Sequence, residues 1–110
     1  MIYELRIYKV APGRMDALHK RFTDHALGLF DKHGMGVVGF WTEVGEKADP
    51  NTLYYMLAFE DQDDKDRKWE EFQADPAWQN ARAESIKDGP ITVPGGSSTL
   101  LAPIPYSPMQ

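Results

Sequence analysis

The sequence predicts an α+β fold with the element order βαββαβ. Three observations lead to it. The chain opens on an aromatic and β-branched segment of period two, which is the pattern of a strand. Two more such segments lie close together around a turn and form a hairpin. Apolar stripes with helical three- and four-residue spacing fill the two remaining intervals, and a short apolar segment closes the chain.

Residues 2–10, IYELRIYKV, form the first strand. Ile2, Glu4, Arg6, Tyr8 and Val10 share one face, and Tyr3, Leu5 and Ile7 share the other. Pro12-Gly13 ends it. Residues 14–33 carry Met15, Leu18, Phe22, Ala26, Leu29 and Phe30 as one helical stripe, and Gly34 suits the left-handed position after the helix end. Residues 36–45 and 52–60 are strands joined through Asp49-Pro50-Asn51, a turn sequence, and so form an antiparallel hairpin. Residues 61–74 form a helix that Asp61 or Asp63 can cap, with Trp69 and Phe72 on its apolar face. Asp75-Pro76 restarts the chain, because Asp caps well and Pro fits the first helical position. A separate helix over 76–88 follows and stops at Asp88-Gly89-Pro90. The fourth strand has its core at 98–102. Gly95-Gly96-Ser97-Ser98 is expected to be a flexible connection, and 103–110 an extended Pro-rich tail.

This order is the ferredoxin-like split βαβ arrangement. It predicts one domain over 1–110, with a four-stranded antiparallel sheet and helices on one face only. A sheet face open to water should alternate with polar residues. Here strands one to three carry large apolar groups on both faces, including Val37, Phe40, Trp41, Tyr54, Met56 and Leu57. The second face is therefore expected to be buried in a homodimer.

Composition narrows the function classes. There are 17 acids against 12 bases, a net charge of −5. That speaks against nucleic acid, whose phosphates need clustered Lys and Arg. No apolar run approaches the roughly 20 residues of a membrane span, and no basic-then-apolar leader opens the chain, so no membrane partner is expected and the expected location is cytoplasmic. Cysteine is absent, which removes disulfides and thiolate metal sites. His19, His25 and His33 lie six and eight residues apart, not the four that would place two ligands on one helical face, so no metal is expected. The acidic run 60–66 lacks the spacing and central Gly of a calcium loop and fits a solvated helix start. No phosphate loop, dinucleotide motif or nucleophile elbow is present.

Five residues are candidates for a ligand pocket. Glu4, Arg6 and Tyr8 place a carboxylate, a guanidinium and a phenol on one strand face. They could line a polar pocket between two sheets, or form an ion pair that only fixes the packing. His25 sits beside the helical stripe, where it could reach a pocket as a base or haem ligand, or bond backbone and water like most helix-edge histidines. Trp41 has Gly39 two residues away, leaving space beside its ring for a pocket wall or for packing. No catalytic residue is assigned.

Four segments taken in order, YELRIYKVAPG, GVVGFWTEVGEKADPNTLYYMLAFED, RKWEEFQADPAWQ and LLAPIPYSP, resemble the NIPSNAP family over nearly the whole chain. The resemblance implies a dimeric α+β barrel and no settled activity. The expected function is that of a NIPSNAP-like protein of uncharacterised role that takes a small apolar ligand without a cofactor. The barrel is also similar to cofactor-independent monooxygenases of the antibiotic-biosynthesis type and to haem-binding proteins. The alternative is therefore a small oxygenase with its pocket between sheet and helices, lined by Glu4, Arg6, Tyr8 and Trp41, or a haem protein with His25 as axial ligand.

Overall fold

The computed structural model describes residues 1–110. Strand β1 is Ile2–Val10, β2 Gly36–Thr42, β3 Thr52–Phe59 and β4 Thr92–Leu101. The first helix runs in three stretches: α1 Met15–Arg21, a π-helical turn Phe22–Ala26, and α2 Leu27–Lys32. Helices α3, Gln62–Ala74, and α4, Pro76–Ser85, meet at Asp75. The strands form one antiparallel sheet in the order β2-β3-β1-β4, the ferredoxin-like topology. No helix is long and apolar enough to cross a membrane.

Strand alternation sets the layers. Leu53, Tyr55, Leu57 and Phe59 of β3 are buried, while Tyr54, Met56 and Ala58 between them are only half-buried. The buried set packs under Leu18, Phe22, Ala26 and Phe30, the stripe of the first helix, and under Phe72 of α3. Tyr55 lies at the centre of an aromatic cluster. Its ring stacks on Phe40 at 5.1 Å between centroids and meets Phe22 edge-on at 5.3 Å. Each such buried side chain contributes roughly 1.5–3 kcal/mol by leaving water.

Asp75 fastens the helical layer. One carboxylate oxygen accepts from the Ala77 backbone N–H at 2.9 Å and so caps α4. The other accepts from Lys32 Nζ at 2.7 Å and bonds His33 Nε2 at 2.8 Å, tying the end of α2 to the α3–α4 corner. These bonds, Lys32 first and then His33 and the cap, hold the Asp75 carboxyl well below the usual carboxylate range. A depressed folded-state pKa contributes stability above the unfolded value, and that contribution is lost as pH falls through and below it. Asp75→Ala is expected to lower the melting temperature by about 5–10 °C at neutral pH. Asp75→Asn should keep the cap and lose the acid-dependent part, so its deficit against the wild type should begin to shrink below roughly pH 4 and close only as pH falls toward the depressed folded-state value. A constant difference between the two from pH 3 to 7 would contradict this.

Several boundaries differ from the sequence expectation. Strand β2 ends at Thr42, not 45, because Glu43 turns aside to accept from Tyr54 Oη at 2.7 Å and from the Asp49 backbone N–H at 3.1 Å. Helix α4 ends at Ser85, not 88, since Ile86 leaves the helical region and Gly89 adopts φ +122°. Gly95-Gly96 is part of β4, not a flexible connection. The pairing of β1 with β4 shifts between Ile7 and Lys9, and at this irregularity Gly95 takes φ +114°. A Cβ on Gly96 would lie 2.7 Å from the Ile7 carbonyl oxygen, so the close approach requires glycine. The 103–110 segment has neither helix nor strand, yet it is fastened at its end. Tyr3 Oη donates to the Gln110 carbonyl at 2.5 Å, and the Gln110 amide reaches back to Ile104 and Ser107.

Candidate functional site

The helix face of the sheet is unevenly covered. Helices cover β3 and only part of β1, where Arg6 and Tyr8 stay half-buried, and every residue of β4 is exposed. A cleft of about 870 Å³ opens between β1, β4, α3 and α4. Strand β1 contributes Arg6 and Tyr8, α3 contributes Trp69, α4 contributes Trp78 and Arg82, and Arg21 enters from the end of α1. This volume suits a small organic molecule.

Glu4 anchors the floor. It is 1% exposed and accepts three hydrogen bonds: Trp69 Nε1 at 2.6 Å, Ser98 Oγ at 2.5 Å and Arg6 Nη1 at 3.1 Å. Arg6 also donates Nη2 to Tyr8 Oη at 3.2 Å, and Tyr8 bonds Tyr55 through their hydroxyls at 2.8 Å. The Arg6 guanidinium lies over the Trp69 ring, 4.5 Å from its centroid, a cation–π contact. Burial alone would lower the Arg6 pKa, but Tyr55, Tyr8 and Glu4 outweigh it and hold it above the ordinary guanidinium value. Burial, with Tyr8 adding to it, pushes the Tyr55 phenol well above its usual range. Its hydroxyl stays protonated and serves as a hydrogen-bonding group.

The five sequence candidates separate. Arg6 and Tyr8 line the cleft, and Glu4 lies buried beneath them as their positioning partner. The trio faces helices rather than a second sheet, because its strand face continues across the register into Leu57, Tyr55 and Leu53, which the helices cover. His25 is exposed on the π-helical turn and does not reach the cleft. Trp41 pairs with Tyr54 on the opposite sheet face, is 49% exposed, and lies over Gly39, where a Cβ would meet its ring at 2.8 Å. It borders a smaller depression of about 380 Å³ with His19, Phe22 and Leu27.

Trp69 and Trp78 fit helix-to-sheet core packing by their positions in the sequence, and Arg21 carries no local signal of a site. Both tryptophans are half-buried: each packs one side against the core, Trp69 on Phe30 and Phe72 and Trp78 on Phe72, and turns the other to the cleft. Arg21 sits beside Phe22, where the π-helical turn begins, and the extra residue of that turn shifts the stripe. Arg82 lies one helical turn after Trp78, a spacing that puts both on one surface.

These features define a class: a ferredoxin-like α+β domain with a basic, aromatic cleft between its sheet and its helices. The NIPSNAP family model matches residues 3–108, and the chain belongs to the NIPSNAP family. It is similar to a NIPSNAP family protein of unknown function from Agrobacterium tumefaciens, with 26% identity over 100% of this chain and 94% of that one and a TM-score of 0.81. An uncharacterized NIPSNAP domain protein from Burkholderia xenovorans shows 23% identity over 98% and 99% of the two chains, with a TM-score of 0.80. The fold extends to an antibiotic biosynthesis monooxygenase with 13% identity over 96% and 100% and a TM-score of 0.59. No curated protein matches the sequence.

Proposed function

We propose that this NIPSNAP protein is a homodimeric small-molecule-binding domain whose ligand lies in the cleft between β1, β4, α3 and α4. The observation that carries this is the wall of that cleft. Trp69 and Trp78 stand on neighbouring helices facing Arg6 and Tyr8, whose positions are fixed by the buried Glu4. Rigid aromatic walls over a hydrogen-bonded floor are the usual build of a ligand site.

Binding accounts for this cleft better than oxygenase chemistry does. An oxygenase that works without a cofactor needs a group to take a proton from its substrate. No carboxylate and no histidine lines the cleft, Glu4 is occupied by three donors, and the Tyr55 phenol is held in its neutral form. A haem reading loses its axial candidate, since His25 lies outside.

The test is fluorescence of Trp69 and Trp78 in a Trp41→Phe background, titrated with a library of small aromatic and aliphatic compounds. Saturable quenching at micromolar to millimolar concentration is expected. Trp78→Ala should weaken it by roughly tenfold, the effect of losing one aromatic contact surface. Quenching that persists unchanged in Trp78→Ala would place the ligand elsewhere.

A further inference from the structure

The cleft is cationic in an acidic chain. Its titratable lining residues are Arg6, Tyr8, Lys9, Arg21 and Arg82, with no aspartate or glutamate among them, although the chain carries a net charge of −5. Two of the four cations already have partners. Arg6 is held by Glu4 and Tyr8, and Lys9 turns its ammonium to Thr52 at 3.1 Å and Asp49 at 3.9 Å.

Arg21 and Arg82 have no acidic partner. Neither forms an ion pair. Arg21 is only 9% exposed, and its one side-chain hydrogen bond is a long one, from Nη1 to Ser85 Oγ at 3.5 Å. Its guanidinium lies 5.6 Å from the centroid of the Trp78 ring. Burial lowers its pKa, Tyr8 partly opposes this, and the nearby positive charge of Arg82 lowers it further. A buried guanidinium beside a second one, with no acid to balance them, is electrostatically costly. An anion between them would remove that cost. The planar forks of two arginines match the oxygens of a carboxylate or a phosphate.

From this we propose that the cleft ligand is an organic acid, its oxyanion held by Arg21 and Arg82 and its flat apolar body lying against Trp78 and Trp69. The cleft has room for such a body, since one oxyanion fills only a small part of 870 Å³. This deepens the binding function proposed above and rests on it. It also alters the ligand class expected from the sequence, from a small apolar molecule to an amphipathic one with a negative end.

The probes are three naphthalenes of one shape: 2-naphthoate, 2-naphthyl phosphate and the neutral 2-naphthamide. They are titrated against the full-length protein by tryptophan quenching, with isothermal calorimetry as a second readout. At least one anion should bind roughly ten- to a hundredfold tighter than the amide, the value of charge-assisted hydrogen bonds in a partly buried site. Whichever anion binds tighter distinguishes a carboxylic acid from a phosphate ester. Arg82 is exposed, so Arg82→Gln should fold normally. It should remove most of the preference for the anion while leaving the amide affinity within about twofold. Arg21→Gln, checked by circular dichroism, should do the same. Equal affinity for anion and amide would overturn the organic-acid assignment and leave a binding cleft standing. Failure of all three probes to bind at millimolar concentration would overturn both.

Discussion

Replacing Glu4 with alanine is expected to lower folding stability by about 3–5 kcal/mol, measured by urea denaturation, because it strands a buried charge. The carboxylate is the acceptor for Arg6, Trp69 and Ser98 together. Without it, Arg6 keeps only Tyr8 as a hydrogen-bond partner, and its Nε is already buried without one. The indole N–H of Trp69 loses its acceptor as well. Glu4→Gln should cost less, since its amide oxygen can still accept from one of the donors. The double variant Glu4→Gln with Arg6→Met should be less destabilised than the sum of its parts, as partners in one network are not additive. A loss below about 1 kcal/mol for the alanine variant would show that the network contributes little to folding.

The second large effect concerns oligomeric state. Leu5 and Met56 are directly paired on the sheet face that no helix covers, with Ile7 and Tyr54 as the next pair. Trp41 stands half exposed on that same side. The wild type at micromolar concentration is expected to scatter light as twice 12.5 kDa. Met56→Arg should scatter as a single chain, because a twofold axis would set two buried guanidiniums near each other. Folding should survive, since a half-buried position in a monomer leaves the new side chain free to reach water. A wild type that runs as a monomer would rule out the dimer, and a Met56→Arg variant still dimeric would move the interface elsewhere.

Much of the architecture was legible in the chain because local signals agreed with the tertiary structure. Period-two alternation marked β1 and β3, Asp75-Pro76 marked the break between α3 and α4, and each coincides with the observed element. Strand β4 was only half legible. Pro94-Gly95-Gly96 reads as loop locally, and only the approach to the Ile7 carbonyl explains why these residues belong to a strand. The candidate site divided along the same line. Glu4, Arg6 and Tyr8 could be grouped from strand parity alone. Arg21 and Arg82 lie 61 positions apart on separate helices, and a π-helical turn alters the register beside the first. Nothing local in the sequence links them. Their common feature, the absence of an acidic partner, exists only once the fold has placed every carboxylate elsewhere.

The irregularity in β4 has a counterpart at the other side of the sheet. Pairing of β2 with β3 shifts between Val37 and Gly39, as pairing of β4 with β1 shifts between Ile7 and Lys9. These are the two outer strands, the ones with unpaired backbone groups that could recruit a further strand from another molecule. A bulge breaks the even spacing such recruitment needs, and Pro94 removes one donor outright. The sheet is thereby protected on both flanks against open-ended polymerisation into fibrils. Loss of either bulge, by deleting Val38 from β2 or the two extra residues Gly95-Gly96 from β4, would restore a regular template and turn a solubility safeguard into an aggregation hazard.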